Sequence, residues 1–151
     1  MMERRKFLGF GIVAAAAALV PGTLSAEDYR KTKPDVWTSH TVDDAIAKLY
    51  GSSKTIEQGV TLTAPDVAAN GGAVPVDFSS EIAAKSVAVF QDANPEAAVC
   101  AFTLNENSII DFSIKIKMKQ SGTLTVVVEG RDGKLYSAKK TLSVALGGCE
   151  G

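Results

Sequence analysis

Two cysteines, Cys100 and Cys149, and one histidine, His40, are the chain's whole stock of thiol and imidazole side chains. Their spacing excludes more than it offers. A zinc site needs three or four Cys, His or carboxylate ligands in workable order, and the two cysteines lie 49 residues apart. There is no Cys-x-x-Cys pair to support a thiol–disulfide enzyme. His40 is remote in sequence from both thiols, so no nucleophile–base triad is indicated, and it reads as an exposed polar residue. Asp43 and Asp44 suit the first turn of a helix, where acids complement the dipole. Asp92 and Asp132 sit in turn sequences. The expectation is a chain with no catalytic residue, no metal and no resident cofactor of its own.

The surroundings of the two thiols differ. Cys100 lies in Ala98-Val99-Cys100-Ala101-Phe102-Thr103-Leu104, in phase with Phe102 and Leu104, and reads as a small buried hydrophobe. Cys149 lies in Gly147-Gly148-Cys149-Glu150-Gly151 at the carboxyl end. Glycine resists ordering and termini are seldom tied down, so this segment reads as a flexible strap carrying one exposed sulfur. Glu150 and the terminal carboxylate disfavour the thiolate and push its pKa up from about 8.5. Only the thiolate attacks, so Cys149 is expected to be a passive handle activated inside another protein. A prenyl anchor is not expected, because only two residues follow the cysteine.

The elements that must position this strap begin at residue 27. Met1-Met2-Glu3-Arg4-Arg5-Lys6 is a basic n-region, Phe7 to Val20 is apolar, and Leu24-Ser25-Ala26 offers a cleavage site. Residues 1–26 are therefore read as a removed signal peptide, too short in its apolar run to span a bilayer. Arg4-Arg5-Lys6-Phe7-Leu8 resembles the twin-arginine export signal, which carries folded proteins across a membrane. Gly9-Phe10-Gly11-Ile12-Val13-Ala14 fits a dinucleotide-binding spacing but follows no strand, so it carries no weight. Losing the leader removes three cations and Glu3 and leaves 13 basic and 16 acidic residues, a net charge of −3. Neither nucleic acid nor a membrane is an expected partner; the lysines of 115–119 alternate with apolar residues and do not cluster.

Residues 27–40 mix charge with Pro34 without a period and read as an extended arm. Thr41 can cap a short helix over 41–51, with Val42, Ala45, Ile46 and Leu49 on one face and Gly51 as its stop. From Gly59 the period becomes two. Val60-Thr61-Leu62-Thr63 alternates, and Ala73 to Phe78 contains Pro75, which predicts an edge strand or the start of one. Lys85–Phe90 and Ala97–Leu104 are further apolar runs. Residues 111–119 alternate cleanly, with Phe112, Ile114, Ile116 and Met118 opposite a charged face. Gly122–Gly130 and Lys134–Leu146 flank Asp132-Gly133, which predicts a type I′ hairpin. About seven short strands after one helix predict an all-β, immunoglobulin-like antiparallel β-sandwich over 41–146, with a small closed barrel as the alternative. The strap 147–151 then leaves from the last strand, with a rigid root near Leu146.

Several stretches together resemble the SoxY family of the bacterial thiosulfate-oxidising Sox system. They are Asn70-Gly71-Gly72-Ala73-Val74-Pro75-Val76, Asn94-Pro95, Ile116-Lys117-Met118, Asp132-Gly133-Lys134-Leu135-Tyr136 and Gly147-Gly148-Cys149. The resemblance implies a periplasmic carrier with sulfur intermediates attached covalently to Cys149. It implies a SoxZ-like partner subunit, forming a heterodimer. It also implies a haem enzyme that couples thiosulfate to the cysteine, a hydrolase that releases sulfate, and a sulfur dehydrogenase. Glu150 stands where the family has glycine. The alternative is an extracytoplasmic interaction or adhesion sandwich whose cysteines form a structural Cys100–Cys149 disulfide or an intermolecular one.

Overall fold

A computed structural model describes residues 26–145, and every structural statement below concerns those residues. Residues 1–25 of the expected leader and the expected strap 147–151 lie outside them. The described chain runs through two α-helices, α1 (Tyr29–Thr32) and α2 (Val42–Tyr50), with a 3-10 helix (Pro34–Thr38) between them. Eight strands follow: β1 (Val60–Thr63), β2 (Val67–Ala68), β3 (Val74–Ser80), β4 (Ala84–Gln91), β5 (Ala98–Thr103), β6 (Ile110–Ile116), β7 (Gly122–Gly130) and β8 (Leu135–Val144). They form two sheets, ordered β1-β3-β6 and β2-β8-β7-β4-β5, so the expected β-sandwich is what the chain builds.

Between the sheets, Val74, Val76 and Phe78 of β3 meet Val87 and Val89 of β4 and Leu124, Val126 and Val128 of β7, all buried. Each such side chain contributes roughly 1.5–3 kcal/mol through burial. Phe112 of β6 stacks on Phe78 at 5.3 Å and on Phe102 of β5 at 4.9 Å, bridging the sheets at one flank. The larger sheet has a second, outer core. Val36, Ala45, Ile46 and Leu49 pack on Ala88, Phe90 and Val127. This is why β4 and the middle of β7 are buried on both faces and show no alternation.

Helix α2 matches its sequence reading. The Asp44 amide donates to Thr41 Oγ1 at 3.2 Å, and Gly51 closes the helix at φ +82°. Two expectations are corrected and one is narrowed. Residues 27–40 are not an extended arm but two helical turns. Asp28 caps the first, Pro34 opens the second, and Val36 is buried beneath it. The Trp37 indole donates to the Tyr29 carbonyl at 3.2 Å, with Arg30 over its ring at 4.3 Å.

Strand β3 is central, and of the two readings of Pro75 the strand start is the one that holds. Its ladder with β1 begins only at Asp77, so Pro75 lies near the strand's start and faces no β1 partner. The turn at 131–133 is not type I′, which needs two positive φ angles. Only Gly133 is positive, at +82°, and its amide donates to the Gly130 carbonyl at 3.0 Å. That is a type I turn closed by a glycine bulge. No described helix is long and apolar enough to cross a membrane.

Candidate functional site

The sulfur-bearing candidates separate cleanly. Cys149, Gly147, Gly148, Glu150 and Gly151 lie outside the described residues, but the strand that leads to them is fixed to its end. Strand β8 pairs with β7 on one side and with the two-residue β2 on the other, where Val67 meets Ser143 and Ala68 meets Val144 in parallel. The Ser143 amide donates to the Asp66 carbonyl, and the Ala145 amide to the Ala68 carbonyl, each at 2.9 Å. The Val144 amide donates to Ser121 Oγ at 2.9 Å. The rigid root expected near Leu146 is therefore in place as far as Ala145.

The loops at this end of the sandwich are built from hydrogen bonds between turns. Asn70 Oδ1 accepts the Gly72 amide at 2.8 Å, and the Gly71 carbonyl accepts the Met118 amide at 2.8 Å. Gln91, buried at the end of β4, accepts the Ala93 and Asn94 amides at 2.6 and 2.7 Å and donates to the Glu96 carbonyl at 2.7 Å. Asn94 in turn bonds the backbone of Lys117 and Lys119. Asp92 Oδ1 accepts the Thr123 amide at 2.7 Å. Three of the singled-out stretches thus meet where β8 ends: Asn70–Gly72, Asn94-Pro95 and the segment around Met118. The fourth, Asp132–Tyr136, lies at the opposite end and closes the β7–β8 hairpin. The buried Gln91 was not legible as a site residue, because its role depends on which loops surround it.

Cys100 is a free thiol on β5, half-buried against the inter-sheet core. Burial pushes its pKa up to about 11, against a smaller lowering by a backbone hydrogen bond from Val89. The structure also disposes of a Cys100–Cys149 disulfide. Cys100 shares a row with Val89, Val126 and Ala138, three strand spacings across the sheet. That is roughly 14 Å sideways and, from Ala138 to Ala145, about 23 Å along β8. Four residues from Ala145 reach at most about 14 Å. A disulfide needs Cα atoms within about 7 Å, so Cys100 is out of range.

His40 is exposed, and its Nδ1 donates to the Pro95 carbonyl at 2.9 Å, a structural bond. Among the described residues no three His, Cys, Asp or Glu side chains are grouped to hold a metal.

The fold and the position of the thiols define a class: a two-sheet β-sandwich whose last strand, pinned on both sides, leads to a cysteine near the carboxyl end. Residues 46–149 match the family described as sulfur oxidation protein SoxY, a match that runs to Cys149. The chain belongs to the SoxY family. Among solved structures it is similar to the sulfur carrier protein SoxY from Chlorobium limicola f. thiosulfatophilum, at 31% identity and a TM-score of 0.63, over 73% of this chain and 96% of that one. It is also similar to a superoxide reductase (neelaredoxin) from Ignicoccus hospitalis, at 16% identity and a TM-score of 0.52, over 58% of this chain and 81% of that one. The second likeness is one of fold alone. No curated protein matches the sequence.

Proposed function

We propose that this chain is the sulfur carrier of a thiosulfate-oxidising system and that Cys149 is the attachment point. The observation that supports this best is the contrast between its thiols. Cys100 is half-buried with a raised pKa, whereas the family match ends on Cys149, four residues past the pinned Ala145. The carrier performs no catalysis of its own. A haem enzyme removes two electrons as the Cys149 sulfur bonds to the sulfane sulfur of thiosulfate, with the thiol proton passing to water. Hydrolysis then transfers the sulfonate group to water as sulfate and leaves a persulfide. A sulfur dehydrogenase oxidises the remaining sulfane sulfur. A SoxZ-like subunit accompanies the chain as a heterodimer, and the leader 1–26 directs export to the periplasm in folded form.

The test is intact mass of the protein from its native host, followed by peptide mapping. Adducts of about +112 Da or about +32 Da on the peptide containing Cys149 are expected for a thiosulfonate or a sulfane sulfur. Their absence from protein isolated during growth on thiosulfate, or their presence only on Cys100, would overturn the assignment.

A further inference from the structure

We propose that Lys117 and Lys119 form a cationic seat beside the root of the last strand, and that the chain's own segment 147–151 docks on it through the Glu150 carboxylate. The seat is built into the segment that follows β6. Met118 is buried between the two lysines, which are themselves exposed and so turn away from the core. Their main chain is held three times over. Asn94 bonds the Lys117 carbonyl and the Lys119 amide, and the Gly71 carbonyl accepts the Met118 amide. The ammonium groups are uncommitted, because among the described residues neither lysine forms an ion pair. Lys115, exposed two residues earlier, extends the positive row. The acids nearby do not neutralise it. Asp92 accepts the Thr123 amide, Asp66 is paired with Lys140 on the β2 flank, and Glu96 pairs with neither lysine.

The occupant follows from distance and charge. Ser121 Oγ accepts the Val144 amide at 2.9 Å, so this segment and the end of β8 run side by side. Lys119 is two residues from Ser121, at most about 7 Å along the chain, and its four-carbon stem reaches further. Glu150 comes five residues after Ala145, within at most about 18 Å. On the β2 flank it meets a neutral pair, Asp66 with Lys140; on the other flank it meets two unpaired cations, and opposite charge decides the side. The short tether raises the effective concentration, so even an exposed pair counts. Seated there, Cys149 shares the positive field, which favours a thiolate or an anionic adduct. A loaded segment then rests on the carrier until a partner with a more basic cleft outcompetes the lysines. That last step rests on the carrier reading; docking through Glu150 does not.

The experiment uses the exported chain carrying Cys100→Ala, with a nitroxide on Cys149. At low salt the label should broaden the amides of 117–121 more than those of Asp66–Asn70. The contrast should fall at least twofold at about 1 M salt, where the screening length is about 3 Å. K117E/K119E should abolish it, and adding Glu150→Lys should restore it. Without the label, K117E/K119E should raise the Cys149 pKa by about half a unit, read from the pH profile of its alkylation, which is about threefold slower reaction near neutral pH. Equal broadening of both flanks, indifference to salt or to the lysine reversal, an unmoved pH profile, or no rescue by Glu150→Lys would overturn the proposal. So would broadening in a mixture of labelled chains with isotope-enriched unlabelled ones, which would seat the segment on a neighbouring copy. None of these readouts uses thiosulfate, so their failure is distinct from a failure of the mass test for the carrier.

Discussion

Asn94 holds Lys119 by its main chain: Asn94 Oδ1 accepts the Lys119 amide at 2.8 Å, while its Nδ2 donates to the Lys117 carbonyl at 2.7 Å. One side chain thus takes over the backbone groups of the segment that follows the β6 ladder, whose last paired residue is Ile116. Met118, between the two, is fully buried as a result of the same arrangement. Asn94→Ala removes both bonds and should destabilise the domain by about 1–3 kcal/mol. The check is the urea midpoint; a change below a few tenths of a kcal/mol would show that water replaces the amide at no cost.

Asp132 and Tyr136 make a second testable pair across the β7–β8 turn, with the Tyr136 hydroxyl donating to Asp132 Oδ2 at 2.5 Å. That bond is the main reason the Asp132 carboxyl is held below its ordinary 3.8, helped by the Lys134 amide. The same bond raises the Tyr136 pKa above 10.0. The signs differ. A lowered carboxylate contributes stability above pH 3.8 that is lost as pH falls through its folded value. A raised phenol contributes below pH 10.0 and loses that contribution as pH rises through its folded value. Tyr136→Phe should therefore lower stability by a constant amount near neutrality, with the difference from the parent shrinking at both extremes. Denaturant curves across pH would show it, and a difference that does not change with pH would contradict it.

Charge at the terminus gives a third prediction. Glu150 places a carboxylate beside a sulfur that is to become an anion. Glu150→Gly should lower the Cys149 pKa, because a like charge next to the thiolate is removed. The haem enzyme should then load the variant at least as fast as the parent. Slower loading would mean that Glu150 is itself recognised.

The two thiols should behave oppositely under alkylation. In Cys149→Ala only Cys100 remains, and its rate with a small neutral reagent should stay low near neutral pH and climb towards its pKa of about 11. In Cys100→Ala loading with thiosulfate should be unchanged. Loss of loading in that variant would move the attachment point to β5.

Much of this architecture is legible in local pattern. The alternation over 111–119 marks a strand with one wet face, and Thr41 with Asp44 marks a helix start, because each signal is carried by neighbours in sequence. Pairing is not local. Pro75 reads as an edge residue until the short reach of β1 is known, since the ladder that spares it ends two residues away at Asp77. The helical turns at 29–38 span four and five residues, too few for a period to register. Asp132-Gly133 predicts a tight turn, but its type depends on whether Asp132 also takes positive φ, which it does not. Of the proposed site, Cys149 and its glycine neighbours stand out in the sequence, and the family match that runs to Cys149 supports them. The role of Gln91 and Asn94 at the strap end does not stand out, because it emerges only when three loops distant in sequence are brought together.

The parallel pairing of β2 with the end of β8 has a mechanical consequence. If a partner enzyme draws the carboxyl end into its cleft, the pull runs along the β8 axis. The hydrogen bonds to β7 on one side and β2 on the other lie across that direction, so they are sheared together and share the force. A strand peeled sideways would instead lose them one at a time. The last strand is thus a tether that would transmit such tension to the whole five-stranded sheet, so that a pull at the tip does not unravel its edge.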